Sequence, residues 1–134
     1  MPVAESIVES VVAETSKRMQ DPRYTELAVG SFVQTQVEIA RFLSARSGRI
    51  GGAQGVLEVA FHAELLCECL RRSHGRTLPE VDLRTLDRAS KGDPVATFSL
   101  REPALASYVA SNVETESLRG ELCRIGLAVL LALE

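Results

Sequence analysis

Apolar residues recur along almost the whole chain at the spacing of one face of a helix. Runs of alternating β-branched and aromatic residues between turns, which are typical of strands, are missing. The first predicted helix runs from about Val3 to Met19 and places Ile7, Val8 and Val11 on one side. The pattern therefore predicts an all-α protein.

Two long helices are predicted next, over about Arg23–Ala45 and about Ala53–Ser73. Because the residues between them, Ser47–Gly52, have the composition of a short turn, we expect the two helices to pack antiparallel as a hairpin. Apolar positions fill about half the circumference of the first of these helices, so several neighbours have to cover it. Gly75 is placed to end the second helix in a left-handed cap.

Beyond Gly75 the predicted helices become shorter. They run over about Pro79–Ala89, about Pro94–Phe98 and about Pro103–Ser111, before a longer final helix over about Glu116–Leu133. A proline opens each short segment, which suits the first helical turn, where the N–H that proline lacks has no partner. The sequence predicts a single domain, a bundle of about six helices built around the antiparallel hairpin of two long helices.

The composition excludes several classes of protein. The chain has 134 residues, 46% of them hydrophobic, and a net charge of −3. A chain of this length buries roughly two-thirds of the surface that it exposes when unfolded, so it folds without a metal or disulfide framework. The acidic balance provides no long basic face, and the absence of Trp removes a usual stacking platform of single-strand binders. We expect no nucleic-acid partner.

Three features bear on location. The segment Met1–Glu9 carries acids where a secretory signal needs a basic start. The longest apolar run, Ile125–Leu133, is about half of the ~20 residues that cross a bilayer. Three cysteines, an odd number, fit a reducing compartment. We therefore expect a cytoplasmic protein with no membrane partner.

Two of the predicted helices carry apolar side chains on a second face. Phe61 and Leu65 lie away from the main apolar stripe of the third helix, and Leu127 and Leu131 point nearly opposite the stripe of the last one. Each such side chain forgoes about 1.5–3 kcal/mol of burial if it stays in water. Either these helices are enclosed by their own bundle, or the second faces form an interface.

The hypothesis that we favour is a non-enzymatic protein that self-associates, as a homodimer, or binds another protein through these faces. Its predicted interface residues are Phe61, Leu65, Leu127 and Leu131. No catalytic residue and no cofactor is predicted.

Glu58 and His62 form the best chemical pair in the sequence, four residues apart and therefore on one edge of a helix. A carboxylate and an imidazole at this spacing can bind a ligand, share a proton or, with a glutamate from the preceding helix, hold a metal. A surface ion pair is the simpler interpretation. If His62 is partly buried beside Glu58, we expect a raised pKa for its imidazole.

Two alternatives to self-association follow from this pair. The first is a small-molecule-binding bundle in which Glu58 and His62 gate a cavity in the aliphatic interior. The second is a carboxylate and histidine metal site, although the Glu-x-x-His motif of di-iron bundles does not occur.

Three other features have simpler interpretations. Cys67, Cys69 and Cys123 are expected to be buried, reduced thiols. The basic cluster at residues 71–76 is expected to be a solvated helix end, because cations there complement the helix dipole, with contact to an acidic partner as the alternative. The glycine-rich segment at residues 51–55 lacks the Lys-Ser/Thr of a phosphate-binding loop and is expected to be a plain hairpin turn.

Overall fold

Eight α-helices and one 3₁₀ turn make up the computed structural model, which describes residues 1–134 and contains no strand. The predicted all-α class is therefore confirmed. The helices are α1 (Glu5–Arg18), α2 (Tyr24–Thr35), α3 (Val37–Ala45), α4 (Gly52–His74), α5 (Leu83–Ala89), α6 (Pro94–Arg101), α7 (Pro103–Asn112) and α8 (Glu116–Leu133), with the 3₁₀ turn at Ser47–Arg49.

The centre of the bundle is formed by α4 and α8, the two longest helices. They pack against each other, and α1, α2 and α3 also contact α4, whereas α5, α6 and α7 contact α8. Nine residues of α4 and ten of α8 are buried, and eight from each helix belong to one continuous apolar core. Both helices are covered on several sides, which explains their apolar residues on more than one face.

Helix ends follow the local signals in several places. Gly75 ends α4 in the left-handed conformation, with φ of 67°, and α8 has the predicted bounds. Thr115 caps α8 because its hydroxyl accepts a hydrogen bond from the N–H of Leu118 at 3.4 Å. The carboxylate of Asp93 caps α6 by accepting from the N–H of Ala96 at 3.1 Å.

The predicted helix over Arg23–Ala45 is wrong as one continuous element, because the chain breaks at Gln36 into α2 and α3. Gln36 has a non-helical backbone, φ −129° and ψ 63°, and its side chain is buried. Its amide donates to the carbonyl of Pro79 at 2.9 Å and accepts from the N–H of Val81 at 2.8 Å. Both ends of the amide are thus satisfied by a distant segment, which stabilises the break.

The same hydrogen bonds change the next element. The segment predicted as a helix over Pro79–Ala89 becomes helical only at Leu83, because Pro79 and Val81 are bound to Gln36. The start is then set by Asp82, whose carboxylate accepts from the N–H of Thr85 at 2.8 Å. The helical hairpin is accordingly made by α2 and α3 together, followed by α4.

Two glutamates are buried, Glu102 and Glu121, and Glu121 on α8 forms ion pairs. Its Oε1 accepts from Arg46, at the end of α3, at 2.9 Å and from Arg124 at 2.7 Å. The guanidinium of Arg46 also lies over the ring of Phe42, 5.1 Å from its centre. This ion-pair network links the turn after α3 to α8.

Glycines inside helices serve different purposes. A Cβ at Gly126 of α8 would lie 2.5 Å from the ring of Phe98, so this glycine allows α6 and α8 to approach closely. A Cβ at Gly55 of α4 would overlap the carbonyl of Ile50. A Cβ at Gly30 of α2 would meet nothing within 4 Å, so no packing contact requires a glycine at this position.

Candidate binding groove

The predicted interface residues differ in where they lie. Leu65 and Leu127 are 6% and 4% exposed, within the core of their own chain. The expectation that they belong to an uncovered second face is wrong, because neighbouring helices surround α4 and α8. Phe61 and Leu131 are half-buried.

Phe61 and Leu131 do not form one patch. Arg76 donates to the carbonyl of Leu133 at 3.2 Å, which places the last turns of α4 and α8 side by side. Phe61 precedes His74, the end of α4, by about 20 Å along the helix axis, at about 1.5 Å per residue. The four predicted residues therefore do not make a single surface.

Phe61 instead lines an open groove between α2 and α4, with a volume of about 740 Å³. The turn between α1 and α2 adds Met19 to its rim. Met19 is 50% exposed and Leu57 is 47% exposed, an unusual state for two large apolar side chains that are neighbours in one concave surface. The apolar side chains of this α2–α4 groove are Met19, Val29, Leu57 and Phe61.

Acidic side chains supply the charge of the α2–α4 groove. Glu26 comes from α2 and Glu58 from α4, and both are exposed. His62 lines the same groove, so the structure does bring the predicted pair of Glu58 and His62 together at one site.

His62 takes a different partner from the one expected. Its Nδ1 shares a hydrogen bond of 2.7 Å with the hydroxyl of Tyr108 on α7, and the ring of Phe61 meets the imidazole edge-on with centres 5.4 Å apart. These contacts fix the orientation of the imidazole, whose Nε2 makes no hydrogen bond within the protein. Tyr108 was not predicted, because no local signal links residues 46 positions apart.

The expected rise in the pKa of His62 is wrong. Partial burial disfavours the charged imidazolium and lowers the pKa of His62, and the attraction of Glu58 opposes this only in part. Glu58 is exposed, so water screens its charge. His62 is therefore neutral at neutral pH, and the groove carries the negative charge of its two glutamates.

Gly30 lines the α2–α4 groove from the middle of α2. Glycine inside a helix is less stable than alanine by about 1 kcal/mol. The structure offers no packing reason for it, since a Cβ would meet nothing within 4 Å. The missing side chain keeps this part of the groove open.

The geometry supports neither a metal site in the groove nor a reactive cysteine. No group of three or more His, Cys, Asp or Glu side chains could hold a metal ion together, so Glu26, Glu58 and His62 line one groove without forming a coordination set. The three cysteines are buried, as predicted. Burial raises the pKa of Cys67 to about 12, the pKa of Cys69 to about 12 and that of Cys123 to about 11. Protonated thiols of this kind are poor nucleophiles.

The basic cluster at residues 71–76 is not simply solvated. Arg71 forms ion pairs with Glu64 at 2.6 Å and with Glu68 at 2.9 Å. Arg72 binds Glu68 at 2.9 Å and also Glu14 of α1. The expectation of a free, solvated helix end is wrong for these two arginines, because acids of α4 and α1 lie within reach.

The chain matches no protein-family model, no curated protein and no solved structure. None of the eight helices combines the length and the apolar character that crossing a bilayer requires.

Proposed function

We propose that this protein is a non-catalytic binding domain whose α2–α4 groove takes a small organic cation with an apolar body. The observation that carries the proposal is the lining of the groove, an apolar wall with two glutamates. Gly30 leaves the α2 side of this lining open, and a ligand that lies against α2 needs the space that a side chain would fill.

The lining of the groove indicates the class of ligand. Its volume of about 740 Å³ is within the range of about 300–1,000 Å³ that is common for small-molecule sites. Met19, Leu57 and Phe61 offer an apolar wall, and Glu26 and Glu58 offer negative charge without a lysine or arginine in the lining. An amine on an apolar skeleton complements both the apolar wall and the negative charge.

The test is thermal stabilisation by matched sets of compounds. Phenethylamine, tryptamine and octylamine would each be measured beside the alcohol and the carboxylic acid of the same skeleton. We expect the amines to raise Tm most, the alcohols less and the acids least, since a ligand stabilises the state that it binds. Equal shifts within each set would contradict the role of the two glutamates, and no shift with any compound would contradict the proposal.

Variants then locate the site. Gly30→Leu fills the groove and should abolish stabilisation by the amines, and Gly30→Ala should reduce it. Gly120→Ala, in α8 and away from the groove, is the control, because a Cβ there also meets nothing within 4 Å. An amine that stabilises the Gly30→Leu protein as well as the unchanged protein binds elsewhere.

Self-association is the second candidate, and one observation favours it. Met19 and Leu57 remain about half exposed beside Phe61, so a second copy could cover them. A stable dimer buries about 800 Å² on each partner, and about a twofold axis at this groove Glu26 and Glu58 would approach their own copies. Light scattering over a dilution series distinguishes the two candidates. A dimer that dissociates in the Leu57→Glu variant would support self-association at this face. A monomer at micromolar concentration would contradict it.

A further inference from the structure

His62 has one ring nitrogen without a partner. Its Nδ1 shares the 2.7 Å hydrogen bond with the hydroxyl of Tyr108, whereas Nε2 makes no hydrogen bond within the protein. Side-chain nitrogen and oxygen atoms that are both enclosed and unpartnered occur only in Glu64, Glu121 and Arg124. Nε2 of this half-buried residue is therefore accessible from outside, and the residue lines the α2–α4 groove.

The hydroxyl of Tyr108 determines which nitrogen of His62 carries the proton. Tyr108 is 8% exposed, and its hydroxyl makes no hydrogen bond within the protein other than that to Nδ1. If Nδ1 donated to this hydroxyl, the phenolic proton would have no acceptor at a buried site, which is costly. The phenol therefore donates, Nδ1 accepts, and the proton of the neutral imidazole lies on Nε2.

The charge state of His62 suits a cationic ligand beside it. Partial burial lowers the pKa of His62, so the imidazole is neutral at neutral pH and does not repel an ammonium group. Glu58 precedes His62 by about 6 Å along the axis of α4, at about 1.5 Å per residue. One edge of the groove thus offers an anionic acceptor and, about one turn further on, a neutral donor.

We propose that Nε2–H of His62 donates to an uncharged oxygen of the ligand, so that the groove selects amines with an ether or carbonyl oxygen about one helical turn from the ammonium. This inference rests on the proposed function, because it places the ammonium near Glu58. The acceptor is uncharged, since Glu26 and Glu58 would repel a carboxylate. A hydrogen bond between neutral groups contributes modestly to affinity, so its effect is a preference among amines.

The test is calorimetric titration of the full protein with heptylamine and with three isomeric ethers, 2-butoxyethylamine, 3-propoxypropylamine and 4-ethoxybutylamine. The ethers share one chain length and composition and differ only in the position of the oxygen. We expect their affinities to differ by about twofold to tenfold, because their oxygens are not equally placed to meet Nε2–H. Equal binding of the three ethers, with heptylamine also bound, would overturn this inference and leave the proposed function standing. Failure of all four amines to bind would overturn both.

Three variants assign the preference to His62. His62→Phe keeps a ring and removes the donor, so the difference among the ethers should disappear. His74→Phe replaces the other histidine of the chain, at the end of α4 and outside the lining of the groove, and should leave the difference unchanged. Glu58→Gln should weaken all four amines and preserve their order. Survival of the same order in His62→Phe would overturn the assignment.

Tyr108 is a positioning residue in this arrangement, and NMR of the imidazole nitrogens tests its role without a ligand. In the unchanged protein the nitrogen shifts of His62 should show a protonated Nε2 and an unprotonated Nδ1. Tyr108→Phe removes the donor to Nδ1, so both tautomers should become populated and the ethers should differ less. A proton on Nδ1 in the unchanged protein would overturn the inference, and this measurement stays informative if His62→Phe fails to fold.

Discussion

Helices α2 and α8 show two different uses of apolar sequence. In α8, ten of eighteen residues are buried, and the helix is enclosed by four others. In α2, only Ala28 and Phe32 of twelve residues are buried, and the helix has the α2–α4 groove on one side and an open pocket lined by Tyr24, Leu27 and Ser31 on the other. Elements with few buried contacts open at lower free energy than the core. The difference indicates that α8 contributes more to the core than α2 does, and it supports the proposal that α2 serves binding.

The largest expected difference between the two helices comes from removing a leucine. Leu122 of α8 is fully buried, so Leu122→Ala should lower the free energy of unfolding by about 2–5 kcal/mol. Leu27 of α2 is 65% exposed, and Leu27→Ala should change it by less than about 0.5 kcal/mol. Urea denaturation measures both. Similar losses in the two variants would show that α2 is packed as firmly as α8.

Two glycines within α8 provide a smaller and more local contrast. Gly126→Ala forces a methyl group against the ring of Phe98 and should lower the free energy of unfolding by about 1–3 kcal/mol. Gly120→Ala meets nothing within 4 Å and should raise it by about 1 kcal/mol, because alanine favours the helix. Thermal unfolding of the two variants distinguishes the cost of crowding Phe98 from the gain in helix propensity. A neutral Gly126→Ala would mean that α6 and α8 separate easily.

How far the sequence predicts this molecule depends on whether the signal is local. Helical spacing and caps predict the all-α class, the bounds of α8 and the end of α4 at Gly75, because these depend on neighbouring residues. The break at Gln36 depends on backbone groups of Pro79 and Val81, and nothing near Gln36 announces them. A glutamine in a helical pattern is usually a surface residue, so the pattern favours one continuous helix.

The candidate sites divide in the same way. The placement of Glu58 and His62 on one edge follows from helical spacing, and both residues line the α2–α4 groove. The burial of Leu65 and Leu127 could not be predicted, because an apolar second face has the same pattern whether another molecule or the same chain covers it. The hydrogen bond between His62 and Tyr108 depends on the packing of α4 against α7, and no sequence pattern encodes it.

Gly30 allows the function of α2 to be separated from its stability. In the absence of ligand, Gly30→Ala should raise the free energy of unfolding by up to about 1 kcal/mol, since the methyl group meets nothing and alanine favours the helix. This increase in the free energy of unfolding should match the increase expected for Gly120→Ala. Urea denaturation of the two variants makes the comparison. A loss of stability at Gly30 alone would show that the glycine has a structural role, and the argument for a ligand would fail.

The smallest expected effect is the pH dependence contributed by His62, which joins the groove to the core through Tyr108. Its pKa in the folded protein lies below the ordinary value of 6.5, so the unfolded chain binds a proton more readily. The stability contributed by neutral His62 is fully present above about pH 6.5 and declines as the pH falls to the folded pKa. His62→Gln should remove this part of the decline in urea denaturation measured at successive pH values.

A further test measures how the charge of Glu58 affects the pKa of His62. Its charge opposes the lowering of the His62 pKa, so Glu58→Gln should lower that pKa further and widen the range of pH over which stability declines. Titration of the imidazole by NMR measures the pKa directly in both proteins. A rise of the His62 pKa in Glu58→Gln would mean that the carboxylate does not act on the imidazole as an attracting charge. The negative potential assigned to the groove, and with it the preference for a cationic ligand, would then lose its support.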